Sequence, residues 1–117
     1  MQKAAAALYT PQGRAEVAKL VDHYMGNARI LRDGVRAIGL DVWGGENAPY
    51  VWVACPKGVS SWDMFDRLLR EAQVVVTPGA GFGSCGEGFF RISAFNSRAN
   101  VEEAVRRLAA VAAPAMA

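Results

Sequence analysis

The chain has 117 residues, of which 52% are hydrophobic and 21% charged, with a formal net charge of +2. This length limits the protein to one small domain with a modest core, and the low share of charged residues leaves apolar surface for a partner. The interleaved charges form no basic stripe, which argues against nucleic-acid binding. No apolar run is long enough for a membrane span, and the first ten residues are too short and too weakly apolar for a signal peptide.

The first long element of the chain is a helix. Thr10 is typical of a helix cap and Pro11 of a first turn, while Gly39 is typical of a C-terminal cap. A helix of about 28 residues would be about 42 Å long, which exceeds the roughly 35 Å diameter of a compact chain of this size. We therefore expect it to pack against something larger than this chain. Its apolar face repeats at spacings of three and four: Val17, Val21, Tyr24, Ala28, Leu31, Val35 and Ile38.

The rest of the chain alternates between strand and helix patterns. Ser60 and Asp63 resemble a capping box at the start of the second helix. The order of elements indicates an α+β fold, with helices packed on a small mixed or antiparallel sheet, and with short Ala-rich ends that fray. The predicted elements are strands over 40–43, 50–54, 74–76 and 89–95 and helices over about 61–72 and 100–112. The large aromatic residues are expected in the core rather than on a stacking platform: Trp43, Tyr50, Trp52 and Trp62.

Few side chains of the sequence are candidates for metal binding or catalysis. Cys55 and Cys85 have no CxxC spacing, and His23 is the single histidine of the sequence. We expect no metal site from this set, two reduced cysteines and a reducing compartment. We expect His23 to pack or to lie at the surface rather than to act in catalysis.

The stretch GFGSCGEGFFRIS, residues 81–93, contains the G-x-G-x-x-G pattern of a dinucleotide-binding loop. Such a loop needs a helix after the glycines, because the helix directs its N-terminal amides at the pyrophosphate. Here a strand pattern follows, and no acidic residue ends a second parallel strand some twenty positions later. We therefore interpret the glycines as an irregular connection between two strands, with NAD or ATP binding as a rival hypothesis.

Arg91 lies on the strand that follows this loop. Alternation places it on one face with Phe89, Ser93 and Phe95, so it is a cation among aromatic residues. One interpretation is an arginine whose stem packs and whose head reaches solvent or a structural carboxylate. The other is a guanidinium that binds a ligand carboxylate through two parallel hydrogen bonds. Glu87, four residues earlier, is a candidate to orient that guanidinium.

Five stretches give the chain a resemblance to a known family. They are YTPQGR (9–14), VDHYMGNARILRDG (21–34), GGENAPYVWV (44–53), SSWDMFDRLL (60–69) and TPGAGFGSCGEGFFRISAF (77–95). Over most of its length the sequence resembles the C-terminal part of the LL-diaminopimelate aminotransferase family, pyridoxal-phosphate enzymes of the aspartate aminotransferase superfamily (fold type I). The resemblance implies the two-layer small domain of that fold. Residues 1–39 would be an N-terminal segment and long connecting helix, and residues 40–117 the substrate-carboxylate-binding small domain.

In that superfamily, an arginine on the strand after a PG..FG..G loop binds the α-carboxylate of the substrate, and the matching residue is Arg91. The resemblance implies amino-group transfer between glutamate and the tetrahydrodipicolinate/LL-2,6-diaminopimelate pair, a step of lysine and peptidoglycan-precursor synthesis. It also implies a small-molecule substrate and a homodimer for the full-length enzyme. Its location would be the cytoplasm of a bacterium or the plastid stroma of a plant or alga.

The resemblance places the catalytic groups outside this chain. The family's Schiff-base lysine and the residues that bind pyridoxal 5'-phosphate belong to an upstream large domain, and none of Lys3, Lys19 and Lys57 stands in a matching context. We therefore expect no catalytic residue here and no transamination by the chain alone, which is either a fragment or a truncated gene product. The alternative is a stand-alone protein-interaction or regulatory module derived from an aminotransferase small domain.

Overall fold

The computed structural model describes residues 1–112. A π-helical turn, Leu68–Ala72, extends the third helix, and two short 3-10 turns, Gly79–Phe82 and Ser84–Gly86, lie between the last two strands. The helices are α1 (Gln2–Ala7), α2 (Pro11–Ala37), α3 (Ser61–Arg67) and α4 (Arg98–Ala112), and the strands are β1 (Val42–Gly44), β2 (Tyr50–Ala54), β3 (Thr77–Pro78) and β4 (Phe89–Ser93).

Helix α2 begins and ends where the sequence predicts. The Thr10 hydroxyl accepts a hydrogen bond from the N–H of Gly13 at 3.0 Å, which caps the helix. Gly39 follows the helix with a φ of 81°, in the left-handed region that glycine adopts without strain. Both signals are local in sequence, so they fix the ends of the helix without help from the rest of the fold.

The two halves of α2 differ in burial. All of its buried residues lie in the second half: Gly26, Asn27, Ala28, Leu31 and Val35. In the first half Val17, Leu20 and Val21 are 40%, 53% and 50% exposed. The short helix α1, formed by residues that we expected to fray, precedes this half and buries none of its side chains. The other Ala-rich end falls outside the described residues.

The four strands form one antiparallel sheet in the order β1-β2-β4-β3. Helices α2 and α3 pack on one face of this sheet, and α4 packs against α2 and the π-helical turn. The hydrophobic core lies between the helices and that face. Its buried residues are Ala28, Leu31, Val35, Leu40, Val42, Val51, Val53, Met64, Leu68, Ala72, Val76, Phe90, Ile92, Ala94, Val101, Leu108 and Val111.

The predicted strand over 74–76 is wrong. The backbone of Gln73 is left-handed with a φ of 54°, and the N–H of Val74 donates to the carbonyl oxygen of Leu68 at 3.1 Å. The N–H of Gln73 donates to the same oxygen and closes the π-helical turn, so the Val74 bond lies just beyond the end of the turn. The three valines connect the helix to the sheet and do not join a ladder. The strand itself consists of Thr77 and Pro78 alone.

The expectation that the large aromatic residues lie in the core is also wrong. Trp43 and Trp62 are 53% and 58% exposed, while Tyr50 and Trp52 are half-buried. Alternation along β1 and β2 directs Trp43, Tyr50 and Trp52 to the face opposite the helices. That second face, called the open face below, is therefore rich in aromatic side chains.

Candidate functional site

A row of four side chains crosses the open face, one from each strand. Trp43 of β1 pairs with Trp52 of β2, Trp52 with Arg91 of β4, and Arg91 with Thr77 of β3. Residues paired directly across antiparallel strands project from the same face of a sheet. The predicted alternation of β4 is thus confirmed, and Arg91 is the cation of the row.

The guanidinium of Arg91 lies between two aromatic rings. Its Cζ atom is 4.5 Å from the ring centroid of Tyr50 and 4.4 Å from that of Phe82. Its Nε atom is buried without a hydrogen-bond partner. No carboxylate within residues 1–112 pairs with this guanidinium. The described residues therefore hold a positive charge in a fixed place and leave it uncompensated.

Arg91 lines an open pocket of about 660 Å³. A second guanidinium, that of Arg36 near the end of α2, lines the same pocket. The acidic residue of the lining, Glu46, lies 2.9 Å from Arg32 and is paired with it. The pocket therefore favours an anionic ligand. Its remaining walls are aromatic, aliphatic or short: Val42, Trp43, Gly44, Gly45, Asn47, Ala48, Tyr50 and Trp52.

An apolar pocket of about 460 Å³ adjoins the first and shares both tryptophans with it. Phe82 packs edge to face on Trp52 with ring centroids 5.3 Å apart, and Trp43 does so on Phe89 at 5.7 Å. Cys85 and Gly86 complete the lining; like Phe82, they belong to the connection between β3 and β4, residues 79–88, which we call the glycine loop. The open face thus offers a charged site next to an apolar one.

The hypothesis that Glu87 orients Arg91 is wrong. The Glu87 carboxylate accepts hydrogen bonds from the backbone N–H and the hydroxyl of Ser61, both at 2.8 Å. The backbone bond first and the hydroxyl bond second lower the pKa of Glu87. Ser61 is the first residue of α3, where backbone N–H groups have no partner within the helix. Glu87 therefore anchors the glycine loop on α3.

The glycine loop has the irregular form that we predicted for it. Its two 3-10 turns lead into strand β4 and not into a helix, so it lacks the geometry of a dinucleotide-binding loop. Gly79 and Gly86 approach so closely that a Cβ atom on either would clash with the carbonyl oxygen of the other. Glycine is required at both positions because the two backbones are in contact there.

The other chemistry-bearing residues lie outside the charged pocket. The Nε2 atom of His23 is 3.1 Å from the carbonyl oxygen of Asn96. Burial, with a smaller contribution from the charge of Glu87, raises the pKa of Cys55 to about 11. The structure places no cluster of three potential metal ligands within residues 1–112.

None of the helices in that range has both the length and the apolar character to cross a membrane.

The family and the three relatives that comparison with known proteins gives here are all aminotransferases. The sequence model of the family described as aminotransferase class I and II matches residues 1–108. The chain is similar to L,L-diaminopimelate aminotransferase from Chlamydomonas reinhardtii, with 46% identity and a TM-score of 0.85 over 87% of this chain and 25% of that one. It is also similar to an aromatic aminotransferase from Pyrococcus horikoshii, with 28% identity and a TM-score of 0.89 over 97% of this chain and 31% of that one.

A probable N-succinyldiaminopimelate aminotransferase from Thermus thermophilus is a third relative, with 28% identity and a TM-score of 0.79 over 91% of this chain and 28% of that one. The chain therefore spans between a quarter and a third of the length of these three structures.

Proposed function

The chain belongs to the aminotransferase class I and II family, and on that premise we propose that it is the substrate-carboxylate-binding small domain of an LL-diaminopimelate aminotransferase. Its α+β architecture is that of the predicted fold type I small domain. In this proposal residues 1–39 are the N-terminal segment and connecting helix, and residues 40–117 are the small domain. The apolar residues exposed on the first half of α2 support this division, since they offer a surface to the rest of an enzyme.

One observation carries the proposal: the uncompensated guanidinium of Arg91 on the open face, at the wall of a positively charged pocket. Because Nε is buried, the two terminal amino groups are the donors that a carboxylate can reach. A planar guanidinium binds a carboxylate through two parallel hydrogen bonds, worth about 1.5–3 kcal/mol each in net terms. Arginine keeps its proton, so Arg91 binds and orients the substrate and transfers no proton.

We propose glutamate and the tetrahydrodipicolinate/LL-2,6-diaminopimelate pair as the substrates. The 46% identity to the Chlamydomonas reinhardtii enzyme supports this choice over that of an aromatic amino acid, since identity to the Pyrococcus horikoshii enzyme is 28%. The pocket supports it as well, because each proposed substrate carries two carboxylates and the lining has two guanidinium groups, Arg36 and Arg91. The reaction would belong to lysine biosynthesis, in a homodimeric enzyme of a bacterial cytoplasm or a plastid stroma.

Family membership implies pyridoxal 5'-phosphate, but the residues of this chain do not fit that cofactor. Attachment as a Schiff base needs a lysine, and Lys3, Lys19 and Lys57 all lie outside the pocket lined by Arg91. We therefore assign substrate binding alone to this chain. In the proposal, the cofactor is bound by another part of the enzyme and the isolated chain does not transaminate.

A chimeric enzyme tests the proposal. Residues 1–108 replace the matching segment of the Chlamydomonas reinhardtii enzyme, and transfer of an amino group from LL-diaminopimelate to 2-oxoglutarate is measured. We expect an active chimera in which Arg91→Lys lowers kcat/KM by about 100-fold, since lysine lacks the planar fork and misplaces the substrate. Arg29→Lys is the matched control, because Arg29 is exposed on α2 and lies outside the pocket.

The outcomes of this experiment are distinct. An active chimera that tolerates Arg91→Lys would remove the role proposed for Arg91. A folded chimera that binds the cofactor but has no activity would contradict the enzymatic assignment. It would favour the alternative, an interaction module, which the exposed aromatic residues of the open face also fit.

A further inference from the structure

Both aromatic rings that contact the Arg91 guanidinium are themselves held by other aromatic rings. Tyr50 begins β2, next to β4 in the sheet, and its ring packs on that of Phe95 with centroids 5.4 Å apart. Phe82 comes from the glycine loop and packs edge to face on Trp52. The guanidinium therefore lies in a slot with one wall from the sheet and one from the loop.

The base of the glycine loop is fixed to α3 through one side chain. The Ser61 hydroxyl donates to Glu87 at 2.8 Å and accepts from the N–H of Ala80 at 3.3 Å. Ala80 lies where the loop leaves β3, and Glu87 lies where it returns to β4. Ser61 thus ties the two ends of the loop together.

The tip of the loop is open by comparison. Phe82 is 50% exposed, and an added Cβ atom on either of its neighbours, Gly81 and Gly83, would meet no atom within 4 Å. The N–H of Gly83 donates to the carbonyl oxygen of Ala80 at 3.1 Å, which closes the backbone turn that carries Phe82. From that turn the Phe82 ring contacts Trp52 and Arg91. A loop with a fixed base and an open tip presents this one ring to the guanidinium.

We infer that Phe82 and Tyr50 are positioning residues for Arg91, and that the anchored glycine loop serves to hold Phe82 in place. The inference rests on the function proposed for Arg91. Aromatic rings attract a guanidinium through its flat faces, so the N–H groups at its edge stay free for a carboxylate. An arginine already held in its binding orientation loses less side-chain freedom when the ligand arrives, which raises affinity.

The full 117-residue chain allows a test without cofactor or turnover. Protons above ring faces resonate upfield, so we expect the side-chain N–H signals of Arg91 upfield of those of the other arginines in 15N–1H spectra. Phe82→Leu should move these signals toward the position of exposed arginines. It should also weaken the binding of L-glutamate, used as the probe, by about three- to tenfold.

Two further variants make this result specific. Phe82→Tyr keeps the ring and should keep both the signal position and the affinity. Trp62→Leu also removes an exposed aromatic residue with an edge-to-face partner, but on α3, and should change neither. Backbone amide spectra show whether each variant keeps the fold. If Phe82→Leu does not fold, Tyr50→Leu tests the inference through the second ring.

The chimeric enzyme gives an independent readout. Phe82→Leu should raise the KM for LL-diaminopimelate about three- to tenfold with a smaller change in kcat. In an Arg91→Lys background it should add little, because it acts through the guanidinium. Equal losses in both backgrounds, or Arg91 signals that Phe82→Leu leaves in place, would overturn the inference. A different result would contradict the proposed function: an Arg91→Lys change that leaves the kcat/KM of the chimeric enzyme unaltered.

Discussion

The two faces of the sheet are made from alternate residues of the same strands, yet they serve different ends. The face under the helices, the closed face, is mostly aliphatic, with Phe90 as its aromatic residue, and is shielded from solvent. The open face is mostly aromatic, carries a charge and borders two pockets. Phe90 and Arg91 are neighbours in sequence and lie on opposite faces. Because successive residues of a strand point to opposite faces, the residues that stabilise the fold alternate with those proposed to bind the ligand. Substitutions at neighbouring positions should therefore affect either stability or ligand binding, but not both.

The largest effect should come from the closed face. Phe90 is fully buried, and we expect Phe90→Ala to lower the free energy of unfolding by about 3–5 kcal/mol, from lost burial and the cavity left behind. Phe89→Ala is the matched control on the open face, where the side chain is only half-buried. Urea denaturation followed by circular dichroism measures both. Equal losses for the two variants would break the comparison between the faces.

A buried polar residue ties α2 to the end of β4 beneath the closed face. The Nδ2 group of Asn27 donates to the carbonyl oxygens of Ala94 at 3.1 Å and Asn96 at 2.7 Å. Asn27→Ala leaves both carbonyls without this donor, and we expect a loss of about 1–3 kcal/mol in the free energy of unfolding. Asn47→Ala, in an exposed loop, should change it by less than about 0.5 kcal/mol. Similar denaturation curves for the two variants would contradict this role.

The anchor of the glycine loop should give stability a dependence on pH. The hydrogen bonds from Ser61 hold the pKa of Glu87 below its ordinary value of 4.5. A carboxyl group with a lowered folded-state pKa stabilises the protein above its ordinary pKa, and this contribution is lost as pH falls through the folded value. We expect the urea midpoint of the wild-type chain to fall more between about pH 5 and pH 2 than that of Glu87→Gln. Parallel midpoints across this range would show that Glu87 does not anchor the loop through its charge.

The smallest effect should come from the residue proposed to bind the substrate. Arg91 forms no ion pair with any residue in 1–112, and the cost of burying its unpartnered Nε offsets its contacts with the rings of Tyr50 and Phe82. Arg91→Met therefore removes little net stabilisation of the fold. We expect the free energy of unfolding to change by less than about 0.5 kcal/mol, measured by the same denaturation. A large loss would place Arg91 among the residues that hold the fold and would weaken the contrast with Phe90.

Much of this architecture follows from local signals in the sequence. The ends of α2 depend on Thr10, Pro11 and Gly39, which act within a few residues of the helix. Alternation in β4 is equally local, and it separates Arg91 from Phe90 before any tertiary contact is known. The resemblance to diaminopimelate aminotransferases, carried by five stretches of sequence, agrees with the family match and with the 46% identity to a solved relative.

Local sequence patterns do not show which face of the sheet the helices cover, nor which distant residue a given side chain or backbone group contacts. Alternation separates the two faces of a strand but does not say which of them the helices cover, so it does not predict that Trp43 and Trp52 lie on the open face and outside the core. The bond from Val74 to Leu68 diverts a β-branched run from the sheet, and it depends on the π-helical turn. Glu87 is close to Arg91 in sequence, but the fold brings Ser61 to it from 26 residues away.

At the base of the glycine loop the backbones of Gly79 and Gly86 are in contact, and this contact distinguishes positions that require glycine from one that does not. Gly79 and Gly86 have no room for any side chain, and Gly83, with a φ of 119°, favours glycine on conformational grounds. Gly81 has neither restriction. Position 81 directly precedes Phe82, which lines the apolar pocket and contacts Arg91. An engineer who wishes to alter ligand preference can therefore introduce new side chains at position 81 while the surrounding backbone keeps its shape.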